Sequence, residues 1–293
     1  MKRLLALDWG TSSLRGALLD EEGLALEERS FPRGILTVAP GSFPEVFSAC
    51  FGDWMTGDTL CLISGMAGSR QGWREATYCP CPAGLDAVAV KLEWLEPGRI
   101  ALVPGLTIES SGVPDVMRGE ETQVFGALQL LDLDDARIVL PGTHSKWVTV
   151  AGHSITDFST WMTGEFYALL RQHSILARTL PEGDAVHDSH AFDAGVVHAL
   201  GGAGLLHTAF STRTLSLFGR MAPDALQSYL SGLVIGEELK SQPLQGGDTV
   251  AVVGADALTA RYAQALIQRG VNVKRIGADA AWLGLRAIAD ILS

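Results

Sequence analysis

A chain of 293 residues, 47% of them apolar, has room for two domains or one large one with an ample core, and a disordered polymer is excluded. Its formal net charge of −11 argues against a nucleic-acid partner, and an anionic ligand would need a local group of Arg or Lys. No charged-then-apolar leader opens the chain and no apolar run is long enough to cross a bilayer, so a cytoplasmic protein with no membrane partner is expected.

Residues 4–7 form an apolar run that predicts a buried strand. The run ends in Asp8, followed by a Gly10-Thr11-Ser12-Ser13 turn and a second apolar strand over 16–19. Such a turn can aim backbone N–H groups and hydroxyls at phosphate, and a strand-end carboxylate suits Mg²⁺, which takes few protein oxygens plus waters. A plain hairpin with a polar tip is the other reading, and this stretch alone leaves both open. A third strand is predicted over 24–29, a loop over 31–41, a helix over 45–55 and a strand over 59–63.

The segment Ser64-Gly65-Met66-Ala67-Gly68-Ser69-Arg70-Gln71-Gly72-Trp73 then reads as a ligand loop, since Arg70 and Trp73 have no amphipathic place; an ordinary strand-to-helix connection is its alternative. Short strands are expected over 87–90 and 100–103, with a turn over 94–99. Val116-Met117-Arg118-Gly119-Glu120-Glu121-Thr122-Gln123 leads into a helix whose apolar face is Val124, Phe125, Leu128 and Leu131. Carboxylates suit a helix start electrostatically, and either could instead face a cleft as a general base. The cysteines, Cys50, Cys61, Cys79 and Cys81, lack zinc-knuckle spacing and read as free thiols.

The opening pattern then returns. A strand over 138–140, the turn Pro141-Gly142-Thr143-His144-Ser145-Lys146, a strand over 147–150, a tight turn and a strand over 154–158 repeat the first hairpin, with Gly142-Thr143 in the place of Gly10-Thr11. This reads as an internal duplication. Helix follows over 164–178, then mostly helix over 191–239, broken at Gly201–Gly204 and Pro223. His187 and His190 have metal-pair spacing, but with Asp184 and Asp188 nearby a solvated turn is preferred. The chain ends as strand 249–253, helix 257–268, strand 271–276 and a helix from 280, an order that favours parallel strands. Gly254 ends the first of these strands, where ligands approach such sheets.

No Walker-type loop, Gly-x-Ser-x-Gly elbow or His-Glu-x-x-His helix is present. Phosphoryl transfer, which needs positioning and charge neutralisation, fits what remains. The two turns (Gly10, Thr11, Ser12 and Gly142, Thr143, His144, Ser145) would hold phosphates and Asp8 the Mg²⁺. Lys146 would neutralise developing charge. Glu120 would take the acceptor proton, with Glu121 and Asp115 as competitors.

These segments resemble the phosphate, connecting and adenosine (Gly254) segments of the acetate-and-sugar-kinase/heat-shock/actin superfamily. Within it, Gly65–Arg70, Arg118–Gln123, Pro141–Trp147 and Phe158-Ser159-Thr160-Trp161-Met162-Thr163-Gly164-Glu165 are similar to the 2-dehydro-3-deoxygalactonokinases. The resemblance implies an α/β fold of two ribonuclease-H-like lobes with a cleft between them, a duplicated actin-like ATPase. It places one lobe at 1–119 joined by helix 278–293 and the other at 120–277.

It also implies ATP and Mg²⁺ as cofactors, and phosphorylation of the 6-hydroxyl of 2-dehydro-3-deoxy-D-galactonate in galactonate breakdown. Many related sugar kinases carry Asp as base at the start of the connecting helix, where this chain has Glu120-Glu121. The substrate carboxylate wants an Arg fork. Arg70 is the first candidate, with Arg15 and Arg118 behind it, and Trp73 or Trp161 would wall the pocket. A same-fold kinase for another sugar acid or ketose, and a nucleotide-binding sensor without transfer, are the alternatives. A homo-oligomer is left open.

Overall fold

The computed structural model describes residues 3–292. The first apolar run becomes β1 (Leu4–Trp9), which pairs antiparallel with β2 (Leu14–Leu19); β2 in turn pairs antiparallel with β3 (Ala25–Phe31). Helix α1 (Phe43–Phe51) follows, and β4 (Leu60–Gly65) returns parallel to β1. After β5 (Cys79–Pro80) and α2 (Leu85–Val90), β6 (Glu93–Glu96) and β7 (Ile100–Leu102) complete a six-stranded sheet of order β3-β2-β1-β4-β7-β6. The interior position of β1 explains its unbroken apolar sequence, because both of its faces are covered: Leu4, Leu5, Ala6 and Leu7 are all buried.

The region expected as a strand over 87–90 is helical instead. Val88 and Ala89 turn inward while Val90 is exposed, a one-turn helical face that a short apolar run cannot distinguish from a strand. The turn expected over 94–99 begins as β6. A hairpin absent from the sequence reading, β8 (Leu106–Ser110) with β9 (Val113–Met117), joins β5 in a small sheet.

Helix α3 (Glu120–Leu131) leads to β10 (Ala136–Leu140), β11 (Ser145–Ala151) and β12 (Ser154–Trp161). A helical stretch follows: α4 (Thr163–His173), α5 (Ser189–Gly201), α6 (Leu205–Thr208), α7 (Ser211–Leu217) and α8 (Pro223–Lys240), which starts on its proline. The chain closes with β13 (Thr249–Gly254), α9 (Asp256–Gln268), β14 (Asn272–Gly277) and α10 (Ala280–Ile291). The second sheet has the order β12-β11-β10-β13-β14. Its pattern, third-second-first-fourth-fifth, is that of β3-β2-β1-β4-β7, so the repeat of the glycine-threonine turns is a repeat of topology.

By contacts the chain divides into two compact units, Met1–Ile138 with Trp147–Thr160 and Ile276–Ser293, and Val139–Lys146 with Trp161–Arg275. In the first, Leu5, Leu7, Trp9, Phe43, Phe47 and Phe51 share one core cluster. Helix α3 groups with this unit because it packs against α10 at backbone distance. A Cβ on Gly284 would lie 1.8 Å from the Thr122 carbonyl oxygen, and one on Gly126 would lie 1.8 Å from that of Ala280. In the second unit, Leu176, Leu226, Leu230 and Val234 form a core cluster, and α5 packs closely on α8 through Gly195 and Gly232.

Candidate active site

In the first unit, Asp8 and Arg15 are direct cross-strand partners of β1 and β2, and the Arg15 Nη2 donates to Asp8 Oδ2 at 2.8 Å. Arg15 also lies 3.8 Å from Asp279 and over the Trp282 ring. Its charge is thus committed to the strand end. The Gly10–Ser13 turn is closed by a Gly10 N–H bond to the Ser13 carbonyl and strapped from outside: Ile35 N donates to Gly10 O at 3.0 Å and Leu36 N to Thr11 O at 3.3 Å. Trp9 Nε1 reaches the Arg33 carbonyl at 2.9 Å. Gly34 permits that strap, since a side chain there would strike the Thr11 carbonyl at 2.2 Å.

At the start of α3, both carboxylates fold back onto backbone N–H groups. Glu120 Oε2 accepts from Arg118 N at 2.9 Å and Glu121 Oε2 from Gly119 N at 2.7 Å. The capping role that the helix dipole favours is therefore real for both. They differ in burial: Glu120 is partly accessible, whereas Glu121 is 0% exposed and its Oε1 has no hydrogen-bond partner. Burial first, then the neighbouring Glu120 carboxylate, pushes the Glu121 pKa up to about 8. Gly119 has φ of +109°, a conformation reserved for glycine, and a Cβ there would approach Gly65 Cα at 3.3 Å. Thr122 Oγ1 lies 3.1 Å from Ser64 Oγ, so the helix start is keyed to the end of β4. Asp115 is fully engaged elsewhere: its oxygens accept from Thr160 N, Thr160 Oγ1 and Val116 N at 2.6–2.7 Å.

Arg70 and Trp73 come together with Gln71, Arg74, Phe43 and Pro44 around a groove of about 560 Å³. Arg70 is 85% exposed on its side chain, with Nε donating to Glu75 at 3.0 Å. Trp73 is both groove wall and core residue, lying against Trp9, Phe43 and Phe47. Arg118 lies elsewhere: it is buried, with Nη2 on the Ala76 carbonyl at 2.8 Å and its guanidinium over the Tyr78 ring.

In the second unit, Gly142 and Thr143 border a pocket of about 250 Å³ walled by Tyr167, Ser231, Ile235, Leu258 and Arg261 among others. The first turn of α4 sits against this turn, with Glu165 N donating to Thr143 O at 3.0 Å. Gly164 allows the approach, because a Cβ there would be 2.4 Å from the Gly142 carbonyl. His144 Nε2 and Glu165 Oε2 are 2.6 Å apart. Gly254 lies beside the same turn, with the position of a Cβ 3.7 Å from Pro141 O. Ser145 and Lys146 are buried in β11 rather than presented at the tip, Lys146 at 5% exposure.

The walls contributed by Tyr167, Ser231 and Arg261 were not anticipated from sequence. Thr163 and Gly164 lie in the Phe158–Glu165 segment, whose residue types alone point to no chemistry. Of the two histidines with metal-pair spacing, His187 is partly buried, bonding Gln264 at 3.1 Å and packing on Phe192. Among the described residues no group of three or more His, Cys, Asp or Glu could hold a metal. A single strand-end carboxylate such as Asp8 still fits Mg²⁺, which fills its remaining positions with water and phosphate oxygens.

The sequence profile of 2-keto-3-deoxy-galactonokinase matches residues 8–288. The chain is 34% identical, over 99% of each chain, to the 2-dehydro-3-deoxygalactonokinase of Escherichia coli strain K12. A crystal structure from Sinorhizobium meliloti, described as a 2-dehydro-3-deoxygalactonokinase, superposes with a TM-score of 0.90 at 34% identity, over 100% of this chain and 99% of that one. Component A of the (R)-2-hydroxyglutaryl-CoA dehydratase of Acidaminococcus fermentans shares the fold over the whole of both chains, with a TM-score of 0.54 at 12% identity. The fold is α/β, of the duplicated actin-like ATPase kind, and the chain belongs to the 2-keto-3-deoxy-galactonokinase family.

Proposed function

We propose that the protein is a kinase that transfers the γ-phosphoryl group of ATP to the 6-hydroxyl of 2-dehydro-3-deoxy-D-galactonate. The products are ADP and 2-dehydro-3-deoxy-6-phospho-D-galactonate, in galactonate catabolism. The observation that carries this reading is the pocket built onto the Gly142-Thr143 turn, in a chain of this family. We take that pocket as the adenosine site. The Gly10-Thr11-Ser12 and Gly142-Thr143-His144 turns hold the phosphates, and Lys146, one residue inside β11, adds its charge to the field at the second turn. The substrate carboxylate takes the groove of Arg70, where Arg74 supplies a second cation and Trp73 a wall for the carbon chain.

Glu120 is the general base of this reading. It is the accessible member of the pair, whereas Glu121 is buried and held largely protonated at neutral pH. Glu120 takes the proton of the acceptor hydroxyl as its oxygen bonds to phosphorus and the bond to ADP breaks. Asp8, steadied by Arg15, would hold Mg²⁺, and when bound the ion neutralises phosphate charge. Four free thiols and the absence, among the described residues, of any helix able to cross a membrane agree with a reducing cytoplasm.

Acceptor-dependent ADP release with Mg²⁺, ATP and 2-dehydro-3-deoxygalactonate tests the assignment. Glu120→Gln is expected to lower kcat by about 10²–10⁴-fold with ATP binding retained. Glu121→Gln, which replaces a protonated acid by its neutral isostere, is expected to stay within a few-fold of wild type. Collapse confined to Glu121→Gln moves the base by one residue, and a wild type without acceptor-dependent release removes the substrate assignment.

A further inference from the structure

Behind the proposed adenosine pocket lies a buried carboxylate with an unusual set of partners. Glu238, on α8, is 2% exposed. Its Oε2 accepts from Ser145 Oγ at 2.7 Å, from Tyr262 Oη at 2.7 Å and from Thr163 Oγ1. The three donors come from separate elements. Ser145 opens β11 directly after the Gly142-Thr143-His144 turn, Thr163 opens α4, and Tyr262 lies midway along α9. Thr163 and Tyr262 are themselves pocket walls, and each is chained to others: Gly164 follows Thr163, and Leu258 and Arg261 share α9 with Tyr262.

A carboxylate removed from water is costly unless its oxygens are hydrogen-bonded, and three hydroxyls on one oxygen meet that cost with charge-assisted bonds. An apolar residue at 238 could fill the volume, but it could not tie three walls to one point. Tyr262 feels this environment, for burial and the Glu238 charge raise its phenol well above the ordinary value. The hub does not line the pocket, so it acts on a ligand only through the walls it holds.

We propose that Glu238 is a positioning residue for the nucleotide, fixing the phosphate turn, the start of α4 and α9 in one register through Ser145, Thr163 and Tyr262. This rests on the reading of the adjoining pocket as the nucleotide site. A glutamine at 238 keeps one carbonyl oxygen for the three hydroxyls, but that oxygen is neutral, so all three bonds lose their charge assistance and the walls are held less firmly. Nucleotide binding therefore weakens, whereas the sugar-acid groove of the other unit is untouched.

The test is titration of the full-length protein with a fluorescent ADP analogue, alongside KM for the sugar acid and thermal melting, in wild type, Glu238→Gln and Tyr262→Phe. Tyr262 is 1% exposed and its one hydroxyl hydrogen goes to Glu238, so the phenylalanine variant loosens a wall without removing a ligand contact. The expected result is a Kd for nucleotide raised about tenfold or more in Glu238→Gln and several-fold in Tyr262→Phe, with KM for the sugar acid within twofold.

Unchanged nucleotide affinity in a folded Glu238→Gln overturns the proposal. So does an equal loss for both substrates that tracks a fall in melting temperature, which marks a merely structural hub. If Glu238→Gln does not fold, Tyr262→Phe decides alone: weakened nucleotide binding supports the proposal and unchanged binding overturns it. A wild type that binds no nucleotide overturns the pocket reading itself, and the role of Glu238 with it.

Discussion

Adjacent glutamates at the start of α3 share one side chain and one kind of capping bond, and burial sets them apart. The consequence is measurable as pH-dependent stability. An unfolded Glu121 titrates near 4.5 and the folded one near 8, so the native state binds a proton that the unfolded chain releases between those values. Stability from this group is full below about pH 4.5 and is lost as pH rises through about 8. The whole effect is on the order of 5 kcal/mol, at about 1.4 kcal/mol per pH unit in the middle of the range. Glu121→Gln removes the titrating proton but keeps an acceptor for Gly119 N. Urea unfolding of both proteins from pH 5 to 9 should therefore give a stability difference that moves in favour of the variant up to about pH 8 and then levels off. A difference that stays flat across this range rules out a buried, protonated Glu121.

At the scale of elements, helix α3, which carries the proposed base, is held by a contact between backbones. Gly284→Ala puts a methyl carbon 1.8 Å from the Thr122 carbonyl oxygen, so α10 and α3 must part. Alanine favours a helix over glycine by about 1 kcal/mol, and overpacking of this kind costs about 1–3 kcal/mol or more, so the net is destabilising. A melting temperature several degrees lower is expected, with kcat reduced as well, because Thr122 ties the helix start to Ser64. A variant as stable as wild type would mean that the two helices do not meet at this distance.

This junction also shows what the sequence could reveal. The strands around each glycine-threonine turn were legible because β1 is covered on both faces and reads as an unbroken apolar run, and because the same turn recurs at the same place. α2 reads as a strand in the sequence, since one turn of helix and a short strand bury the same pair of neighbours. The β8–β9 hairpin escaped because its exposed positions, such as Glu109, Ser110 and Val113, break the alternation. The pocket walls Tyr167, Ser231 and Arg261, and Glu238 behind them, lie on helices distant in sequence. Helix α8 is buried along most of its length, so no apolar stripe singles out the face that carries Glu238.

At the scale of the whole molecule, each unit carries a concavity of its own, with cations inside a protein of formal net charge −11. Arg70 and Arg74 border the groove of the first unit, and Arg261 the pocket of the second. A ligand that binds only the folded form suppresses local opening where it sits, by about 2.7 kcal/mol at a hundredfold excess over Kd. The proposed function therefore predicts two separate footprints in hydrogen–deuterium exchange. Saturating sugar acid alone should protect residues 38–44 and 70–74. Adenosine alone should protect 142–143, 163–167, 231–235 and 258–262. In Tyr262→Phe the adenosine footprint should fade while the sugar-acid footprint persists, because the loosened wall belongs to one unit. Sugar-acid protection appearing on the α8 and α9 walls would reverse the two assignments, and one footprint common to both ligands would remove the division of labour between the units.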